Sequence, residues 1–89
     1  MGSVPRTAGA GSSKRRPIVA TFIRRNKSVT KTRYYSRITT GFPRAVQLLM
    51  IDGEPGDLVE FASNEFGYQI GFVRLKVGGN MDIQWTIGE

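Results

Sequence analysis

The stretch LVEFASNEFGYQIGFVRLKVGGNMDIQWTI, residues 58–87, decides the fold class. Leu58 to Phe61 has the apolar, β-branched make-up of a strand, and Ala62 to Glu65 that of a hairpin connection. Phe66, Tyr68, Ile70 and Phe72 then alternate with Gly67, Gln69 and Gly71, the period of two of a strand with one buried face. At Val73 the apolar phase moves to odd positions, through Leu75 and Val77, which marks a bulge, a strand break or burial on both faces. Val77 to Met81 (VGGNM) has hairpin-turn composition. Met81, Ile83, Trp85 and Ile87 alternate again with polar residues. Phe66 and Trp85, each inside an alternating apolar set, are expected in the core. Gly67 and Gly71 are expected to permit close packing or a bulge.

Toward the N-terminus, Asp52 to Asp57 (DGEPGD) is a turn cluster. Pro43 to Met50 (PRAVQLLM) is predicted as a two-turn helix. Proline suits a first turn, where its missing N–H costs nothing, and Val46, Leu49 and Met50 share one face. Gly41-Phe42-Pro43 punctuates the chain before it. Ser28 to Thr40 (SVTKTRYYSRITT) is dense in residues that suit a pleated surface. A strand there puts Lys31, Arg33, Tyr35 and Arg37 on one face and Thr32, Tyr34, Ser36 and Ile38 on the other. Arg24 to Lys27 forms a polar turn, and Ile18 to Ile23 (IVATFI) a further strand. Residues 1–16, rich in Gly, Ser and Ala with no apolar period, are expected to be a disordered basic arm. Residues 17–89 then form a single small domain, mainly β with one short α-helix, five or six strands and a barrel-like shape.

Charge is divided unevenly. Residues 1–44 hold eleven of the thirteen Lys and Arg and no Asp or Glu, whereas residues 45–89 hold all seven acids. A basic half of this kind is the electrostatic footprint of a polyanion ligand, because eleven like charges repel one another without a counter-charge. The expected nucleic-acid contacts are Lys14, Arg15 and Arg16 on the arm, Arg24, Arg25 and Lys27 at the first turn, and Lys31, Arg33, Arg37 and Arg44 on or beside ordered elements. Tyr34 and Tyr35 are candidate base-stacking residues.

Most catalytic chemistry is poorly supplied. The chain has no Cys and no His, so no soft metal site, no disulfide and no His or Cys nucleophile or base can be built. The acids lie mostly in turns, without calcium-loop spacing, and no Gly-rich phosphate fingerprint occurs. We expect no enzyme, no catalytic residue, no metal, no cofactor and no small-molecule substrate. No apolar run approaches the roughly 20 residues that span a bilayer, and the first residues lack a signal-peptide core. The expectation is a cytoplasmic protein, nucleoid-associated if it binds DNA.

The segment SRITTGFPRAVQLLMIDGEPGDLVEF, residues 36–61, resembles the AbrB/MraZ/SpoVT swapped-hairpin family. The shared order is a basic strand (Arg37 to Thr40), a proline-started helix with a leucine pair (Pro43 to Leu49), a Gly-Asp turn (Glu54 to Asp57) and a strand (Leu58 to Phe61). With SVTK before it and GYQIGFV after it, the resemblance covers roughly Ser28 to Lys76. The chain departs from the pattern at Gly41-Phe42 and at Gln47. The resemblance implies an intertwined homodimer that binds duplex DNA, with Arg37 and Arg44 near the DNA and Lys31 and Arg33 on phosphates. The sequence thus leads to a small dimeric transcriptional regulator. Two alternatives stand beside it. One is a single-strand binder with Tyr34, Tyr35, Phe66, Tyr68 and Trp85 interleaved with Arg33, Arg37 and Arg74. The other is a structural component of a virion or ribonucleoprotein.

Overall fold

The computed structural model describes residues 16–86. The expected arm, apart from Arg16, lies outside the described residues, as does Ile87. Within that span come β1 (Ile18–Ile23), β2 (Val29–Tyr35), α1 (Ile38–Asp52), β3 (Leu58–Ser63), β4 (Gln69–Leu75) and β5 (Met81–Trp85). The strands build one antiparallel sheet in the order β2-β1-β3-β4-β5. The mainly-β expectation with one helix therefore holds. The barrel-like shape does not, because β2 and β5 lie at opposite edges and the sheet stays open. The chain leaves β2 through α1 and returns at β3 on the far side of β1. The helix thus fills one face of the sheet, and the core forms without closure.

The ladder registers show which residues share the helix-covered face. Ile18, Ala20 and Phe22 of β1 align with Ser63, Phe61 and Val59 of β3, and Val59 aligns with Val73 of β4. Ala20, Phe22, Val59, Phe61, Val73 and Leu75 are buried there beneath Ala45 and Leu49 of α1. Each fully buried large side chain contributes about 1.5–3 kcal/mol. This face, shared between sheet and helix, is the hydrophobic core.

α1 is 15 residues long and begins at Ile38, so the predicted two-turn helix at Pro43 is too short. Gly41, Ala45 and Leu49 are its buried residues, four apart, with Ile38, Phe42, Val46 and Leu48 packed beside them. Ile38, Thr39 and Thr40, expected in a strand, form its first turn. Gly41 is the reason the helix passes over the end of β2. A Cβ there would come within 2.7 Å of the Tyr35 ring. Glycine costs about 1 kcal/mol in a helix interior, and that cost is offset by seating the ring. Pro43 lies inside the helix and leaves the Thr39 carbonyl without its usual donor, but both residues are exposed to water.

The phase shift near Val73 is a bulge. Phe61 pairs with Gly71 and Ala62 with Gln69, so Ile70 is the extra residue and is buried in the core. Beyond it Val73 and Leu75 face the helix, and Phe72 faces the other way. Phe66, expected in the core, lies in the β3–β4 turn and is 74% exposed, stacked against Tyr68 with ring planes 9° apart. The strand begins only at Gln69, so the Phe66–Tyr68 alternation belongs to the turn. Trp85, also expected in the core, is 39% exposed, but it lies on the helix side, 5.4 Å from Phe42 and 6.1 Å from Phe61 between ring centroids.

Candidate nucleic-acid interface

The sheet has a second face that α1 does not cover. The registers assign Thr32 and Tyr34 of β2, Val19, Thr21 and Ile23 of β1, Leu58, Glu60 and Ala62 of β3, and Phe72 and Arg74 of β4 to it. None of these residues is buried. Gln69 beside Ala62, and Gln84 and Asp82 of β5 beside Phe72 and Arg74, share this face, so a β-branched and aromatic surface interspersed with threonine, glutamine and a few charges is left facing water.

At one end of this face the β1–β2 hairpin tip rises. Arg24 N–H donates to the Ser28 carbonyl and Lys27 N–H to the Arg24 carbonyl, each at 2.8 Å. The Asn26 Oδ1 accepts from the Ser28 amide and hydroxyl. Lys27 is thereby held at φ 79°, a left-handed conformation that glycine or asparagine adopts more readily. The result is three bases in four residues on a tight, internally bonded loop.

Asp57 fixes that tip to the body. Its carboxylate accepts from the Arg24 guanidinium at 2.8 Å and from the amides of Arg25 and Glu54 at 3.0 Å. Glu54-Pro55-Gly56-Asp57 is a β-turn in which proline and then glycine at φ 99° fit the central positions of a type II turn. A Cβ on Gly56 would strike the aliphatic part of Arg25, so the turn also seats that side chain. Burial pushes the Asp57 carboxyl up. The Glu54 and Arg25 amides and the Arg24 charge outweigh it, and the pKa lies below the ordinary carboxylate value.

The tip, Phe72 and Arg74 enclose an open cleft of about 410 Å³ on the uncovered face. Ile23 and Leu58 are apolar walls, and Arg25, Lys27 and Arg74 bring positive charge. The Arg74 guanidinium lies 5.6 Å from the centroid of the Phe72 ring. Glu60 also lines the cleft and accepts a hydrogen bond from Gln69 Nε2 at 3.1 Å. A smaller cavity of about 240 Å³ lies between α1 and the β1–β2 hairpin, where Lys31 bonds Asp52 at 2.7 Å. The hydrogen bond from Lys31, with its charge, holds the Asp52 carboxyl below the ordinary range.

The expected basic residues divide accordingly. Lys14 and Arg15 lie outside the described residues. Arg16 is exposed, and its carbonyl accepts from Asn64 at 3.3 Å. Among the described residues the ion pairs are Arg24–Asp57 and Lys31–Asp52. Arg25, Lys27, Arg33, Arg37 and Arg44 are exposed and outside those pairs. Lys31 and Arg33 do share a face, aligned with Phe22 and Ala20, but it is the helix side. Arg37 leaves the strand and occupies the position before α1, and Arg44 lies on the exposed side of that helix. Tyr34 is on the uncovered face, 45% exposed, whereas Tyr35 packs against Gly41 and the core. Residue order alone did not bring Phe72, Glu60 and Gln69 to the hairpin tip. The available signal was the phase shift itself, which leaves Phe72 out of step with Val73 and Leu75.

No family model, no curated protein and no solved structure matches the chain. Among the described residues no helix is long and apolar enough to cross a membrane, and no group of three or more acids could hold a metal ion.

Proposed function

We propose that the protein binds nucleic acid, gripping phosphates with the exposed bases of the hairpin tip and of the β2–α1 region. The observation that carries this reading is the set Arg25, Lys27, Arg33, Arg37 and Arg44, all exposed and outside the ion pairs formed by their neighbours Arg24 and Lys31. Structural charges are paired with acids when a fold uses them for stability. These five are left to solvent in a chain of net charge +6. Such charges meet a phosphate backbone at little desolvation cost and release its counterions. Arginine also offers a fork that fits phosphate oxygens in pairs.

The test is a salt titration of binding to a duplex, a single-stranded DNA and an RNA. Each neutralised phosphate adds about 0.9 to the log–log slope on duplex and about 0.7 on a single strand. With about five to seven bases engaged, the duplex slope should be roughly −5 to −6. A paired Arg25→Ala, Lys27→Ala variant should reduce its magnitude by nearly two units, and an Arg37→Ala, Arg44→Ala pair should do the same if both regions grip. Affinity that does not change between low and moderate salt refutes the reading.

A further inference from the structure

The uncovered sheet face raises the question of what lies on it. We propose that it seats a single-stranded nucleic-acid segment, with one unstacked base in the cleft against Phe72. This rests on the nucleic-acid reading above and adds which strand form is bound and where.

Three observations converge. First, the cleft of about 410 Å³ has the size of a small-ligand site, which spans roughly 300–1,000 Å³. It is open on one side, as a base entering from a strand requires. Second, its surfaces are chemically sorted. Phe72 supplies an aromatic plane, Arg25 and Lys27 supply charge at the rim, and Glu60 with Gln69 supplies polar atoms on the floor. A carboxylate at the floor of a polyanion site would repel phosphate. It can instead accept hydrogen bonds from a base N–H, such as the amino group of cytosine. In a duplex that amino group is reached only along the major groove, whereas a base laid flat against the Phe72 ring has to leave its stack and its pair. Third, a second exposed ring shares this face. The registers place Tyr34 level with Val19, Ala62 and Gln69, and Phe72 level with Glu60, Thr21 and Thr32. The two rings are thus three strands and two residues apart, roughly 16 Å by sheet geometry. A strand touching both crosses the sheet obliquely, and a paired duplex cannot offer bases to either.

A second copy of the chain is the rival occupant, since Val19, Ile23, Leu58 and Phe72 give the face apolar area. At the cleft Arg25, Lys27 and Arg74 stand beside one carboxylate, Glu60, and two copies of a chain of net charge +6 repel each other. Charge therefore favours the polyanion.

The experiment uses the full chain, a fluorescein-labelled mixed-sequence single strand and the same sequence as a duplex. Phe72→Leu keeps apolar volume and removes the ring. It should weaken single-strand binding by roughly 5- to 150-fold, the range for one lost stacked base, and leave duplex binding within about twofold. The native chain should prefer oligocytidine to oligothymidine, and a Glu60→Gln variant, which keeps the side chain's shape, should narrow that preference. Trp85, on the opposite face, should keep its fluorescence as single strand saturates the protein. Equal losses on both strand forms in Phe72→Leu, strong Trp85 quenching, or a native dimer that Phe72→Glu converts to monomer each overturn the inference. Absence of binding to any nucleic acid instead removes the underlying reading, so the two failures are distinguishable.

Discussion

Replacing Lys27 with glycine separates the two demands placed on the hairpin tip. Lys27 is held at φ 79°. A side chain in that region costs about 1–2 kcal/mol, and glycine removes the clash. Glycine in turn loses more backbone freedom on folding, about 0.5–1 kcal/mol. The hydrogen bonds of the turn use backbone atoms of Arg24, Lys27 and Ser28, the Ser28 hydroxyl and the side chain of Asn26, none of them the Lys27 side chain, so the substitution leaves them intact. The net expectation is a gain of about 0 to 1.5 kcal/mol. For a domain of this size, 1 kcal/mol corresponds to about 4–8 °C in Tm. Lys27→Ala retains the left-handed strain and loses the same charge, so it should be no more stable than the native chain. In binding, both variants should lower the magnitude of the salt slope by about 0.9 on duplex or 0.7 on a single strand. Thermal unfolding ranks the three proteins, and a fluorescence-anisotropy salt series measures the slopes. If glycine is no more stable than alanine, the positive φ carries no cost. If neither slope changes, Lys27 does not touch phosphate.

Three further perturbations probe the scaffold. Asp57→Ala removes an acceptor shared by one guanidinium and two amides and should cost about 2–4 kcal/mol by urea unfolding, the upper part discounted because Arg24 is partly exposed. The Asp57 pKa is depressed in the folded state. Its contribution is therefore complete above the unfolded carboxyl value of about 4 and is lost as pH falls through the folded value. Stability should decline below about pH 4, and Asp57→Asn should flatten that decline in a pH series of unfolding curves. Gly71→Ala drives a Cβ into the Trp85 ring and to 2.5 Å from the Gln84 carbonyl. Because the second atom is backbone, the strain should cost about 1–3 kcal/mol and shift Trp85 emission to the red.

Much of this architecture was legible in the sequence, and the misreadings have particular causes. The strands at Ile18 to Ile23 and Leu58 to Phe61 are legible as short apolar, β-branched runs and those near Ile70 and Ile83 as period-two patterns, and each forms near its expected place, the fourth starting only at Gln69. Lys31, Arg33 and Tyr35 do share a face as parity requires. The expected helix starts late because Pro43 suits a first turn and the β-branched run up to Thr40 suits a strand, and these local signals outweigh the spacing of Ile38, Phe42, Ala45 and Leu49. Tertiary contact settles that contest in the other direction. The ring of Tyr35 occupies the space a side chain on Gly41 would need. The same truncation turned Arg37 into a strand residue and attached it to the wrong set of partners.

The candidate site was harder to read for a different reason. Charge is visible residue by residue, but pairing depends on which acids the topology brings near. Eleven bases without an acid in residues 1–44 mark a polyanion footprint but not which of them stay unpaired. The returning chain brings Asp52 and Asp57, from the acidic half, to Lys31 and Arg24. Those two bases become structural, and Asp57 spends its remaining oxygen on the backbone of the tip. The acidic half is therefore not a separate surface for another partner at these positions. It holds the hairpin in place so that Arg25 and Lys27, which it leaves unpaired, are presented beside Phe72 and Arg74. In the binding proposed above, Arg25 and Lys27 act beside the uncovered face and Arg33, Arg37 and Arg44 on the β2–α1 side, so the fold, not the boundary between the basic and acidic halves, decides which bases are free to meet phosphate.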